Sequence, residues 1–324
     1  MSLRNTGTLA LAAILNLVTA QTLGRVLPEH WRPIRNVHFQ ILRRHRTRCT
    51  FEISWPGADG QRVVIGKAYA TDREDVYRAM ATIWRVGFAS DEAFSIPQPI
   101  TYVPELKLLL QEKVHGPRAK DGVLTGTERD RLEVAERCAH WLARFQAMAA
   151  PEGQAYRVND VLDSVNEWSR AFGAADELLA DKATRLREQL EAAVRGLRPT
   201  ELCAGHGHYS IGQVLLAHDR TVTVDWDGHD VADPCRDVAT FVVDLRRIGA
   251  KNPGAIPALD QTLDRFLATY CSLKRSGIRA NLPFYAAARC LRLAHKDVDH
   301  RKADWAKRAA AMLDEGLRVL ERGL

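Results

Sequence analysis

No two of the six cysteines in this 324-residue chain (Cys49, Cys138, Cys203, Cys235, Cys271, Cys290) stand in a C-x-x-C pair. Without that spacing a structural zinc site has no sequence support, and scattered free thiols in a reducing cytoplasm are the simplest account. No apolar run approaches the ~20 residues that a membrane-spanning helix needs. There is no internal repeat and no low-complexity tract, which excludes a repeat array and a long disordered linker. Neither sign of charge dominates: 46 Lys and Arg against 40 Asp and Glu leave +6. The densest basic run, Leu42-Arg43-Arg44-His45-Arg46-Thr47-Arg48, comes without a zinc, homeodomain or RNA-binding signature, so nucleic acid is not the expected partner. A mild positive excess suits an anionic ligand. With 46% hydrophobic residues, the chain can bury one large core or two lobes around a cleft.

The amino terminus admits two readings. Arg4, the apolar run Leu9 to Val18 and the small-residue step Val18-Thr19-Ala20 have the form of a secretory signal. Leu11, Ile14, Leu15 and Val18 also recur at helical spacing, and Leu23, Val26 and Leu27 continue it, which is the form of an amphipathic helix. The helical reading is adopted, with a cytoplasmic protein.

Residues 37–114 read as strands. Val37 to Leu42 alternates, Cys49 to Trp55 alternates again and ends at Pro56-Gly57-Ala58-Asp59-Gly60, and Arg62 to Tyr69 is a third strand. Asp72 is placed to cap a helix through Met80, Ile83 and Trp84. Ile100 to Val103 and Leu106 to Val114 complete a set of five strands with one helix. From Thr127 the chain turns mostly helical: Thr127 and Asp130 open one helix, and Val158–Phe172, Glu177–Leu197, Leu259–Leu273 and Asp304–Leu320 follow the same period, with Pro283 as a further start. The exception is His206 to Asp227, which reads as loop, strand, turn, strand.

That exception carries the most information. Gly205-His206-Gly207-His208-Tyr209-Ser210-Ile211-Gly212-Gln213 is followed by the apolar strand Thr221 to Val224 and by Asp225-Trp226-Asp227, then by Asp233-Pro234 and Asp237. The set resembles the catalytic core of the aminoglycoside phosphotransferase and choline kinase group, whose pattern is H-G-D-x-x-x-x-N, a hairpin, D-[WFL]-[DEG] and G-D-P-x-x-D. The spacing is kept and letters change: His208 stands at the catalytic Asp, Gln213 at the metal-binding Asn, and Ala232 at the Gly.

The resemblance implies an α+β, two-lobed protein-kinase-like fold. Residues 1–36 would be a helical extension, 37–116 a nucleotide-binding lobe with an antiparallel five-stranded sheet and a helix, and 117–324 a mainly helical lobe, with Val114-His115-Gly116-Pro117 as the hinge. It implies ATP and Mg²⁺ as cofactors and a small-molecule hydroxyl as substrate, with no membrane partner and an open oligomeric state. Phosphoryl transfer needs an aligned hydroxyl, a metal-neutralised triphosphate and placed positive charge. Asp225, at a strand end, is the expected metal ligand; a solvated strand-end Asp is the plain alternative. Asp227 is a second ligand or a turn residue, and Gln213 a metal-binding amide or a loop hydrogen-bonder. Lys67, closing Val63-Val64-Ile65-Gly66-Lys67, resembles the phosphate lysine of the V-A-I-K strand, with a solvated surface lysine as the plain alternative; Glu74 and Asp75 lie too early in the helix to be its usual partner. The first strand turn lacks glycine and offers guanidinium groups instead, Arg46 among them, unless the turn is merely solvated. Asp237 is read as a buried cap for loop amides, and His206 as structural. His208 is a substituted base, an orienting group or a mark of lost activity, with Tyr209, Ser210 and Asp230 as polar neighbours. The function so implied is an ATP-dependent small-molecule phosphotransferase; the rivals are a pseudokinase that binds nucleotide or a protein, and a peptide Ser/Thr kinase. The acids Asp297, Asp299 and Asp304 are interleaved with Lys296, Arg301 and Lys302, so an acid-lined site for a cationic aminoglycoside is not expected.

Overall fold

The structure, a computed structural model, describes residues 17–57, 60–173, 175–273 and 278–324. The apolar run before Leu17 and the turn at Ala58-Asp59 lie outside the described residues. The chain divides into two units: residues 1–116 with 215–227, and residues 117–214 with 228–324.

The first unit is built on a five-stranded antiparallel sheet of β1 (His38–Arg44), β2 (Arg48–Gly57), β3 (Gly60–Tyr69), β5 (Pro99–Val103) and β6 (Leu108–Glu112), in the order β1-β2-β3-β6-β5. Strand alternation sets its core. Cys49, Phe51, Ile53 and Trp55 of β2 are all buried, with Val64 and Ala68 of β3. Arg48 and Thr50 point to the other face, opposite Tyr69 and Lys67 in the register. Phe51 faces Gly66 across the ladder, and a Cβ at Gly66 would lie 2.6 Å from the Phe51 ring, so glycine here makes room for the aromatic. Helix α1 (Ala20–Val26), capped by Thr19, lays Leu23 into the same core, with Val18 and Leu27 packed just beyond its two ends; the continuous amphipathic helix expected through Val18 is broken at Thr19, and its part from Leu11 to Leu15 lies outside the described residues.

Helix α2 (Glu74–Arg85) buries Val76, Met80 and Ile83 at helical spacing. Its cap position falls on Arg73, but Asp72 still accepts the Glu74 N–H at 3.2 Å and the Tyr102 hydroxyl at 2.6 Å. A smaller sheet joins β4 (Phe94–Ser95), β10 (Arg220–Thr223) and β9 (Val214–Ala217), with β4 and β10 parallel.

The second unit is mainly helical. Helix α3 (Ala119–Thr125) precedes α4 (Glu128–Met148), which opens where Thr127 and Asp130 place it, in a capping box: Thr127 accepts from the Asp130 amide, and Asp130 accepts from Thr127. Helices α5 (Val158–Arg170), α6 (Glu177–Ala193), α7 (Cys235–Lys251), α8 (Ile256–Leu273), α9 (Ile278–His300) and α10 (Trp305–Arg322) follow. Pro283 does not start α9. It lies inside the helix, five residues beyond Ile278, because the buried face of Leu282, Ala286 and Cys290 holds the helix across the missing N–H.

A short sheet, β7 (Ala155–Tyr156), β11 (Asp230–Ala232) and β8 (Cys203–Gly205), lies in this unit. An aromatic column runs through the core: Trp141 stacks on Tyr209 at 5.5 Å, Tyr209 on Phe241 at 5.7 Å, and Phe241 on Phe266 at 3.9 Å. Tyr209 is thus a core residue and not a polar neighbour of the loop; its hydroxyl donates to the Cys138 carbonyl at 2.8 Å. All six cysteines are free.

Candidate functional site

Two constellations stand out, one in each unit. In the first unit, strand β10 ends and the chain turns at Asp225 with φ of +72°, a left-handed conformation that Asp tolerates better than most residues. The turn brings the Asp225 and Asp227 carboxylates together on Lys67 and Arg48. The Lys67 ammonium donates to Asp225 at 3.2 Å and to Asp227 at 3.0 Å. Arg48 donates to both Asp225 oxygens, at 2.8 and 3.3 Å, and also to Asp227. The Tyr69 hydroxyl donates to Asp227 at 2.9 Å, and Arg73 holds the Asp227 carbonyl at 2.8 Å. Two carboxylates therefore meet two cations, in a group where Lys67 is 5% exposed.

Burial alone would raise the Asp225 carboxyl; Lys67 and Arg48 outweigh it and hold that carboxyl well below the usual carboxylate range. Burial lowers the Lys67 ammonium, Asp225 opposes that shift and Arg48 adds to it. Lys67 thus finds its acidic partners at Asp225 and Asp227, while the early helix acids pair elsewhere: Glu74 with Arg78 and Asp75 with Arg73. Arg46 is exposed in the β1–β2 turn. Arg48, two residues on, is the member of the basic run that reaches the carboxylates.

The second unit holds the loop from His206. Gly207 has φ of +74°, and a Cβ there would sit 1.8 Å from the Gly228 carbonyl oxygen, so only glycine fits. Asp237, buried at the start of α7, accepts the His206 N–H at 2.7 Å and the Tyr209 N–H at 3.3 Å. It caps the loop amides in the manner read from the sequence. The His206 ring accepts the His208 N–H at 3.3 Å. Burial, then the charge of Arg289, lowers the His208 pKa to about 3, with Asp244 opposing and His206 and Arg292 adding. His208 is therefore a neutral imidazole at pH 7. Gln213 ends a single 3-10 turn, Ile211–Gln213, with its N–H on the Ser210 carbonyl at 2.9 Å. Asp230, on β11, is paired with Arg236.

Among the described residues no three His, Cys, Asp or Glu side chains are grouped to hold a metal. The Asp225–Asp227 pair nonetheless has hard oxygen donors, and Mg²⁺ characteristically takes one or two carboxylates and completes its shell with water and phosphate. The donor chemistry fits, on condition that Arg48 and Lys67 release those oxygens.

Arg48, Tyr69 and Arg73 escaped the sequence reading as members of this group. One signal for two of them was present: Arg48 and Thr50 share a strand face, as do Lys67 and Tyr69.

The profile of the phosphotransferase enzyme family (APH) matches residues 65–281. No curated protein matches the chain in sequence. Among solved structures, a choline/ethanolamine kinase family protein from Mesorhizobium loti superposes with a TM-score of 0.63 at 13% identity, over 96% of this chain and 94% of that one. A thermostable mutant of the aminoglycoside phosphotransferase APH(4)-Ia, in ternary complex with AMP-PNP and hygromycin B, gives 0.65 at 17% identity over 94% and 99%. A choline kinase from Cryptosporidium parvum Iowa II gives 0.64 at 10% identity over 95% and 97%. These likenesses bear out the protein-kinase-like fold. Since the family profile covers well over half of the chain, this protein belongs to the phosphotransferase enzyme family.

Proposed function

We propose that the protein is an ATP-dependent phosphotransferase acting on a hydroxyl of a small molecule. The observation that carries this reading is the balanced ion cluster of Lys67, Arg48, Asp225 and Asp227. A metal–nucleotide complex is a ligand of both signs. Its phosphates suit the two cations and its metal suits the two carboxylates, so each half of the ligand replaces one half of the cluster. A purely anionic or purely cationic ligand would leave buried charges of one sign unpaired, which is costly.

In this reading Lys67 and Arg48 hold phosphate oxygens, with the exposed Arg46 adding charge from the same turn. Asp225, joined by Asp227, would hold Mg²⁺, which when bound neutralises charge developing on the phosphoryl oxygens. Gln213 is the proposed amide ligand in place of the family's Asn. His208, neutral and half-buried, accepts the hydrogen bond of the acceptor hydroxyl and orients it. With a pKa of about 3 it is too weak a base to carry the proton away early. The O–H bond then breaks late, as the hydroxyl oxygen bonds to phosphorus and the phosphorus parts from the bridging oxygen of ADP, and its proton passes to an oxygen of the transferred phosphoryl group or to water. A cytoplasmic setting, where ATP is supplied, belongs to the same proposal; among the described residues no helix is long and apolar enough to cross a membrane.

The test is a thermal-shift titration of the full chain. Mg²⁺ with ATP should raise the midpoint by mass action. Lys67→Ala should weaken ATP far more than adenosine, because only the phosphate contact is lost. Equal losses for both ligands would remove the phosphate role of Lys67 and with it the reading.

A further inference from the structure

We propose that Arg289, Arg292 and Arg236 of the second unit form a pocket for an oxyanion, the carboxylate or phosphate group of the molecule that accepts the phosphoryl group. That the ligand is the acceptor rests on the phosphotransferase reading; the preference for an oxyanion does not.

The pocket is assembled from three helices and a strand. Helix α9 presents Tyr285, Arg289 and Arg292 on one face, at i, i+4 and i+7. Helix α7 adds Arg236, α5 adds Trp168, and β7 adds Tyr156. The aromatic rings hold two of the guanidinium groups in place: Arg236 lies 4.2 Å over Tyr156, and Arg292 lies 5.8 Å from the centre of Trp168. The space between them is about 30 Å³. At ~10–15 Å³ of such volume per water, it takes two or three waters. That is the room of a charged head group, with the rest of the ligand outside.

The charges do not balance. Arg289 is paired with Asp244 at 3.0 Å and Arg236 with Asp230. Among the described residues no carboxylate is paired with Arg292. Three guanidinium groups thus face two carboxylates. Arg289 is also unsatisfied: it is 6% exposed, and its Nε–H is buried with no acceptor. A buried donor without a partner is destabilising until an acceptor arrives, and native structures keep few of them. A carboxylate or phosphate oxygen is the acceptor that a guanidinium fork fits best, because two parallel N–H bonds meet two oxygens. A quaternary ammonium or a polyamine would meet like charge here and is excluded by the same surplus.

The test uses the full chain, with inorganic phosphate and choline as probes, followed by calorimetry and thermal shift. Phosphate should bind and raise the melting midpoint, and choline should do neither. Arg292→Gln should weaken phosphate by about tenfold or more, the loss of one charged hydrogen bond. Arg289→Lys keeps a charge for Asp244 but removes the Nε–H fork, and should act in the same direction. Lys67→Ala should leave this phosphate binding within about twofold, since Lys67 belongs to the other constellation. An unchanged phosphate Kd in both arginine variants overturns the pocket, as does choline stabilising the protein as strongly as phosphate. Loss of all phosphate binding in Lys67→Ala overturns it too, by placing the anion in the first unit. Titration of Mg²⁺ with ATP on the same proteins separates the two readings: phosphate bound by the arginines with no nucleotide bound at all would sink the phosphotransferase reading and leave the pocket standing.

Discussion

The ion cluster of the first unit and the arginine pocket of the second use the same residue types to opposite effect. At Lys67, Arg48, Asp225 and Asp227, every cation has a carboxylate and every carboxylate has a cation. At Arg236, Arg289 and Arg292, the carboxylates Asp230 and Asp244 fall one short. A balanced cluster can admit only a ligand that exchanges partners on both sides. An unbalanced one calls for the missing sign. The titrating groups differ as well: Asp225 is pulled down by its cations, whereas His208 is kept from gaining a proton first by burial and then by Arg289 of the surplus.

The sharpest way to break the balance is Asp225→Asn, which keeps the shape and removes one charge. Lys67 and Arg48 are then left with Asp227 alone. Because a part-buried ion pair broken on one side leaves an uncompensated charge, the fold should lose on the order of 3–5 kcal/mol at most. Turnover should fall by on the order of 10²–10³-fold, the scale for removing a group that places charge at the transition state. The Mg²⁺-dependent part of ATP stabilisation should vanish. Calorimetry with and without Mg²⁺ checks this, and an Mg²⁺ dependence equal to that of the unaltered protein removes Asp225 from the metal role.

The fold was legible because its signals are local. The alternation of Cys49, Phe51, Ile53 and Trp55 and the capping pair Thr127 and Asp130 specify their elements with no long-range information. The loop capped by Asp237 was legible through spacing. Other features were not. Tyr209 follows His208 directly, and a polar name suggested a polar role; only the packing of Trp141 and Phe241 shows it stacked in the core. Arg48 pairs with residues 177 and 179 positions away, a contact that depends on sheet register. The arginine pocket is legible only in three dimensions, since Arg236 and Arg289 come from helices with a third helix between them in the chain. Pro283 misled for the opposite reason: its local preference as a helix start was overridden by burial of the helix around it.

Burial, with the arginine surplus added to it, can be read at His208 by titration. Its folded pKa of about 3 lies below the unfolded value of 6.5. The unfolded chain therefore binds the proton first as pH falls, and stability drops from about pH 6.5 toward pH 3. Between pH 7 and pH 5 the loss from this one group is about 2 kcal/mol. His208→Gln should remove that part of the pH dependence and leave the acid limb due to carboxylates, which lies lower. Denaturant unfolding at pH 7 and pH 5 measures the difference. Turnover should show no His208 limb near pH 6.5 if the imidazole only orients the hydroxyl; a limb there, abolished in His208→Gln, would restore a proton-accepting role. Phosphate in the arginine pocket should raise the His208 pKa by screening Arg289 and Arg292, with burial still holding it below 6.5.

The smallest effect expected is also the one that best tests partner exchange. Arg48→Gln removes one cation from the balanced cluster without touching a carboxylate. Two opposite changes should follow. Free Mg²⁺ should bind more tightly, by about tenfold, because Asp225 and Asp227 no longer hold a competing guanidinium. ATP with Mg²⁺ should bind more weakly, by up to about tenfold, because the phosphates lose one charged donor. A merely structural Arg48 would shift both affinities the same way, through a damaged fold. Calorimetric titration of MgCl₂ alone and of ATP with saturating Mg²⁺ gives both numbers from one protein. If free Mg²⁺ binds no better to Arg48→Gln, the guanidinium is not standing in for a metal, and the exchange of partners fails at its first step.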